Sequence, residues 1–277
     1  MTQDKVVHFL GEIVGLGEEI VTRVLLDQNR CTIPRKYFDS SLEKLSASLE
    51  FAKHSPQAHN QSSVSKDDVV VFFHFGDGGV DTSILVSYPC YVILLSDNPS
   101  AIGPIDESIK LLHIHDMIHY VANRQSNTKL DALLKLCIEG LSLDVDDQSD
   151  QHWWVSQQDV AACLIRLIHN VEKLPQITEL CGRRGWSTQE TFEQLQLLYQ
   201  RTLAGASGKF NPEHLVITPV VTPILQGSKL NIRSSRPDLS VIDDVLRAAD
   251  GQRWRPLVPL RTSLMHYLAT KDLYHNV

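Results

Sequence analysis

The stretch that decides the fold is Lys5 to Leu26, KVVHFLGEIVGLGEEIVTRVLL. Lys5 to Leu10 is a short apolar run, Gly11, Gly15 and Gly17 follow it, and Glu18 to Leu26 repeats apolar residues at helical spacing. This order reads as strand, glycine turn, helix. Working outward, Cys31 to Ile33 is a second short strand that Pro34 ends, Leu42 to Ala52 is helical, and His54 to Lys66 is a polar surface loop. Asp68 to Phe75 (DVVVFFHF) and Tyr91 to Leu95 (YVILL) are continuous apolar runs, the pattern of strands buried on both faces of a parallel sheet. Between them lies only Gly76 to Cys90, too little chain for a long crossover helix.

Further along, Leu130 to Cys137 reads as a helix leading into a strand at Ile138 to Val145, and Gln158 to Ile168 as an amphipathic helix. Ser187 and Glu190 form a capping pair at the head of a helix through Tyr199. After Gly205 the chain turns proline-rich, with a strand at His214 to Thr218 and helices at Ser240 to Ala249 and Leu260 to Ala269. Buried strands alternating with helices predict an α/β fold, a Rossmann-like doubly wound parallel sheet. Residues 1–169 are expected to form its core and residues 170–277 a smaller C-terminal lobe that returns strands or helices to it.

Composition narrows the function classes. The chain has 277 residues, 43% of them hydrophobic, enough for a sizeable core. With 33 acidic against 26 basic side chains and a formal charge of -7, no nucleic-acid partner is expected. The five cysteines, Cys31, Cys90, Cys137, Cys163 and Cys181, have no CxxC pairing and read as reduced core thiols. Met1 to Val7 has no basic segment before an apolar one, and no apolar run approaches the ~20 residues of a membrane helix. A cytoplasmic protein without a membrane partner is the expectation.

A glycine turn between a first strand and a first helix lets a cofactor pyrophosphate rest on unpaired helix N–H groups. The spacing here is Gly-x3-Gly-x-Gly, and Glu12 and Glu18 bring carboxylates beside it, so a purely structural turn remains the alternative. Arg35 and Lys36, just after the second strand, would tolerate a ribose 2′-phosphate and favour NADP, with NAD left open; a solvated turn is the plain alternative. His113, His115 and His119 with Asp116 suggest metal ligands, positions 115 and 119 sharing a helical face. Lacking a thiolate partner and lying in an expected surface loop, they are read as no metal site. The acidic run Asp144 to Asp150 lacks the glycine and closing glutamate of a calcium loop, and Trp153 and Trp154 read as core packing.

In this order the segments resemble the short-chain dehydrogenase/reductase superfamily, in its extended branch of sugar-nucleotide epimerases, dehydratases and reductases. Gly11, Gly15 and Gly17 are similar to its N-terminal glycine motif. The strand ending at His74, Phe75 and Gly76 resembles the one beside the nicotinamide, and Tyr91 to Ser96 the one delivering a catalytic Ser or Thr, with Ser100 to Gly103 beyond it. Asn127 to Asp131 resembles the end of the Tyr-x3-Lys helix. Trp154 to Ala161 and Trp254 to Leu260 resemble two later motifs, the most specific of the set. The resemblance implies cofactor contacts at Gly11, Gly15, Gly17, Arg35, Lys36, Phe75, Gly76 and Lys129, and catalytic roles for Lys129, Ser96 and a tyrosine. It also implies a small-molecule, sugar-nucleotide-like substrate.

The departures from the pattern are chemical. Four residues before Lys129 the chain has Gln125, which cannot transfer a proton near neutral pH. Tyr120 is a displaced candidate, followed by Arg124 at the lysine spacing. The short Gly76 to Cys90 link also removes the helix with which family members build their dimer. Two readings follow: an NADP-preferring oxidoreductase or epimerase with a non-standard acid and weak catalysis, or an inactive relative acting as a binding or assembly subunit with a protein partner.

Overall fold

Every strand of the main sheet runs parallel, because each apolar run is followed by a helix or loop that carries the chain back over the sheet. In a computed structural model, residues 5–121, 127–143, 150–208, 211–212 and 236–271 are described. The strand expected at His214 to Thr218, the residue Gln125, its neighbour Arg124 and most of the acidic run after Val145 lie outside them.

β1 (Val6–Gly11) enters the glycine turn and α1 (Leu16–Leu26), and β2 (Arg30–Ile33) follows. After α2 (Phe38–Leu49) comes β3 (Gln57–Ala58), a two-residue edge strand inside the expected surface loop. β4 (Val69–His74) and β5 (Tyr91–Ser96) are joined through α3 (Thr82–Val86), a helix of only 5 residues, as the short link requires. β6 (Ile109–Ile114) and a bridge strand β7 (Met117–Ile118) precede α4 (Thr128–Glu139). Short β8 (Gln151–His152) and β9 (Val155–Ser156) lead to α5 (Gln157–Ile168) and β10 (Ile177–Leu180). β11 (Trp186–Ser187), α6 (Thr188–Ser207), α7 (Ser240–Asp250) and α8 (Leu260–Ala269) complete the order.

The 7-stranded sheet has the order β10, β6, β5, β4, β1, β2, β3. Helices on both faces make it the doubly wound α/β sheet the sequence predicts. One face carries α1, α2, α5 and α7 over a core including Phe9, Ile20, Val71, Ile93, Leu112, Leu164 and Ile242. The other is covered by α3 and loops over Val70, Leu94, Ile109 and Leu111. A separate apolar cluster joins α4, α6 and α8 around Leu134, Phe192, Leu195, Leu264 and Tyr267. β10 lies beyond residue 170 yet closes an edge of the main sheet, pairing with β6. All five cysteines are buried and unpaired, and burial pushes the thiols of Cys31, Cys137, Cys163 and Cys181 up to about 12. Among the described residues no helix is long and apolar enough to cross a membrane.

Two local expectations are corrected. The strand placed at Ile138 to Val145 does not form where it is described: α4 runs through Glu139, Gly140 ends it at φ 67°, and Leu141 to Leu143 are irregular. Leu130, Leu133, Leu134 and Cys137 are buried at helical spacing, so the apolar tail of the run belongs to the helix. Conversely, His113 lies in no surface loop. Ile109 to Ile114 is a central strand, so His115 and His119 share no helical face.

Candidate active site

In an open α/β sheet, ligands bind beyond the C-terminal strand ends, near the point where the strand order reverses. Here that point lies between β1 and β4, because the chain runs from β1 outward to β3 before crossing back. A cavity of about 630 Å³ opens beside it, at the ends of β4, β5 and β6 and against the first turn of α4. Gly76, Asp97, His115, Asp116, His119 and Lys129 are among its lining residues.

Asp116 organises the wall. Its backbone takes φ 48°, rare for a residue with a side chain, and turns the carboxylate inward. Lys129 Nζ donates to Oδ1 at 2.9 Å, the Trp153 N–H donates to Oδ2 at 2.9 Å, and His152 Nδ1 lies 3.8 Å away. Burial alone would raise the carboxyl pKa; His152 and Lys129 outweigh it and hold the group well below the usual carboxylate range. Lys129 thus reaches the cavity with its ammonium already engaged.

The other expected catalytic groups face elsewhere. Ser96 is fully buried at the end of β5, and its Oγ accepts the Asn98 N–H at 3.0 Å, capping the turn. The Tyr120 hydroxyl shares a 2.8 Å hydrogen bond with Ser156 Oγ, and its ring lies 5.0 Å from that of His266. Burial raises the Tyr120 pKa, opposed by the Ser156 and Ser263 hydroxyls. Tyr120 packs against the α4, α6 and α8 cluster, outside the cavity lining. Gly76, at φ 108° with open space where a Cβ would stand, donates its N–H to Asp97 Oδ1 at 2.9 Å. The Phe75 and His119 rings pack edge to face with centroids 5.1 Å apart.

The glycine turn keeps its shape for internal reasons. A Cβ on Gly11 would lie 2.2 Å from the Phe73 carbonyl oxygen, so the glycine permits close approach of β1 to β4. A Cβ on Gly15 would lie 2.3 Å from Val121 Cγ2 and 3.2 Å from Gln157 Oε1. Gly17 packs on Ile13 and Phe73. At the head of α1, where an anion is favoured by free N–H groups, the chain seats its own: Glu18 Oε2 accepts the Gly15 N–H at 3.3 Å, while Lys44 holds Oε1 at 2.7 Å. Glu18, Val121 and Gln157 thus crowd the space around Gly15, where a pyrophosphate would rest on the turn. Arg35 and Lys36 are exposed just beyond β2, and the Lys36 ammonium lies 4.5 Å over the Tyr37 ring.

The structure therefore brings Gly76 and Lys129 to one cavity, with Phe75 at its flank through His119, and gathers Gly15, Tyr120, Val121 and Gln157 at a second spot. Sequence reasoning missed His119 as a cavity wall residue and Asp116 as the partner of Lys129, whereas Asp97, a candidate acid donor or strand-end cap by sequence, does line the cavity. The signal for Asp116 was its place in a cluster of histidines, weighed there as metal ligands and set aside.

No family model matches the chain, and no curated protein matches it in sequence. Solved structures match in fold. The PbgP3 protein from Burkholderia pseudomallei is 11% identical with a TM-score of 0.56, over 97% of this chain and 96% of that one. UDP-N-acetylglucosamine 4-epimerase from Bacillus cereus is 13% identical with a TM-score of 0.55, over 96% and 99%. The Bordetella bronchiseptica enzyme WbmF, in complex with NADH, is 9% identical with a TM-score of 0.53, over 96% and 91%. The chain shares their fold along nearly its whole length. At such identities the likeness is one of architecture.

Proposed function

We propose that this chain is a short-chain dehydrogenase/reductase of the sugar-nucleotide epimerase, dehydratase and reductase type whose reaction centre is altered, so that it binds far better than it turns over. The observation that carries this is the engagement of Lys129 by Asp116 at 2.9 Å while the Tyr120 hydroxyl is turned to Ser156. A proton-transfer pair needs both groups at the substrate. The cavity at the ends of β4, β5 and β6 suits a small polar ligand, and the fold shared with the UDP-N-acetylglucosamine 4-epimerase supports one of sugar-nucleotide type.

In this reading a nicotinamide dinucleotide, NADP in preference to NAD through Arg35 and Lys36, binds only when Glu18 and Val121 swing away from Gly15. Its apparent affinity is lowered by the fraction of time they spend closed. The test is thermal unfolding of wild type, Val121→Ala and Glu18→Gln with NADPH or NADH, with turnover assayed on a sugar-nucleotide panel. We expect a small shift for wild type, larger shifts for both variants, and little or no turnover. Turnover at ordinary rates of ~1–10³ s⁻¹ that survives Lys129→Ala would overturn the altered-centre reading. No shift in any of the three proteins would overturn the cofactor reading and leave a binding or assembly subunit. One observation favours residual chemistry with a non-standard acid: His119 is among the residues that line the cavity. Residual turnover abolished by His119→Gln would be its mark.

A further inference from the structure

The polar side chains at the C-terminal edge of the thinly covered sheet face are in register. His74 of β4 pairs with Ser96 of β5, Ser96 with His113 of β6, and His113 with Glu179 of β10. Along β6 the same face carries Ile109 and Leu111 in the core and then turns polar at His113. His115 continues the alternation just past the strand end and is tied to β10 through its N–H to the Leu180 carbonyl at 2.9 Å. The His113 and His115 rings lie 3.8 Å apart.

We propose that His113, His115 and Glu179 form a binding site for one divalent transition-metal ion of the zinc class. One ligand atom from each lies within 4.8 Å of the others, and His115 Nε2 and Glu179 Oε1 are 3.6 Å apart. A tetrahedral ion bonded at ~2.0–2.1 Å sets its donors about 3.4 Å apart, so this pair is already at ligand spacing. At 3.6 Å it is too far apart for a good hydrogen bond, and His115 Nε2 is buried with no hydrogen-bond partner among the described residues. An ion would satisfy both atoms.

The surroundings orient the donors as metal-site neighbours do. Glu179 Oε2 accepts the Asp238 N–H at 2.8 Å, leaving Oε1 toward His115. The Asp97 backbone lies beside the His113 ring. Two imidazoles and one carboxylate suit zinc, cobalt or nickel and disfavour magnesium and calcium, which take oxygen cages. All three side chains are only half-buried, so the ion can enter from solvent. Bound there, it joins edge strand β10 to β6 and sits at the rim of the cavity that His115 lines.

The experiment is zinc titration by calorimetry on the chelator-stripped full chain, with cobalt(II) absorption as a second readout. We expect one equivalent bound, visible cobalt bands of four- or five-coordinate intensity, and a melting temperature raised by zinc. His113→Ala, His115→Ala and Glu179→Gln should each weaken zinc binding at least ~10- to 100-fold, a range that even the partners of metal ligands command. His54→Ala, remote from the site, should leave it unchanged. Circular dichroism establishes that each variant is folded, and Glu179→Gln, which keeps size and shape, serves if a histidine variant is not. Absence of stoichiometric uptake by wild type, or uptake indifferent to all folded ligand variants, would overturn the proposal.

Discussion

Asp116 and Lys129 differ in what each loses when cut. The carboxylate is largely buried, 12% exposed, and also accepts the Trp153 N–H, whereas 62% of the Lys129 side chain is exposed. Asp116→Ala strands the part-buried Trp153 N–H and should cost about 1–3 kcal/mol in a denaturant melt, while Lys129→Ala should cost about 1 kcal/mol or less. Equal losses would mean that the ion pair, rather than the Trp153 hydrogen bond, sets the cost. Gly11 is the sharper case. At φ 78° and with Phe73 oxygen 2.2 Å from the place of a Cβ, Gly11→Ala meets both backbone strain and overlap. A loss on the order of 3 kcal/mol is expected, with or without cofactor. Its place in the turn was legible in the sequence; its reason, the closeness of β4, was not.

At the scale of elements, the two motifs most specific to the resemblance are in contact. Asp159 in the first turn of α5 accepts the N–H groups of Leu257 at 2.8 Å and Val258 at 3.1 Å, docking the segment before α8. Trp254 adds its indole N–H to the Cys181 carbonyl at 2.8 Å. Asp159→Ala should therefore lower stability by about 3 kcal/mol and speed amide exchange in α8 before the sheet opens. β1, β2 and β4 meet through another buried set: His8 Nδ1 bonds Thr32 Oγ1 at 2.9 Å, and His8 Nε2 lies 3.3 Å from Asp68 Oδ2. Burial lowers the His8 pKa below 6.5 against the opposing pull of Asp68, and burial with His8 nearby lowers that of His59. The unfolded chain then binds protons near pH 6.5 that the folded one refuses, so stability falls as pH drops through that value. Melting temperatures from pH 8 to 5 should show this limb, and His8→Gln should flatten it from a lower plateau. An unchanged limb in His8→Gln would place its origin in other groups.

For the whole molecule, the link from β4 to β5 sets what can assemble. With α3 only 5 residues long, there is no helix to build the dimer that the resemblance implies, and a monomer or a different contact is expected in sedimentation. A dimer built on that link would contradict it. Sheet topology also decides the site. α4 was legible as a helix from Leu130, but that it begins at Thr128, with Lys129 in its first turn, depends on Asn127. That residue's side chain bonds both backbone groups of His119, at 3.1 Å and 2.8 Å.

What the sequence determined by itself was the alternation of buried strand and helix, because side-chain burial on a period of 2 or 3.6 is a local property written residue by residue. The glycine turn, the strands through Phe75 and Ser96, and helices α5, α6, α7 and α8 follow from it. What only the tertiary structure decided were the partners. Ser96, Tyr120 and Lys129 are each commonplace in sequence, and their use depends on Asn98, Ser156 and Asp116. Of these, Ser156 reaches Tyr120 from 36 residues away. Glu179 reaches the histidines of β6 only because β10 returns to pair with that strand, so a donor set split between residues 113, 115 and 179 has no spacing to betray it. Hydrogen-bond and metal-ligand geometry is fixed by the packing of distant elements, which no local period encodes.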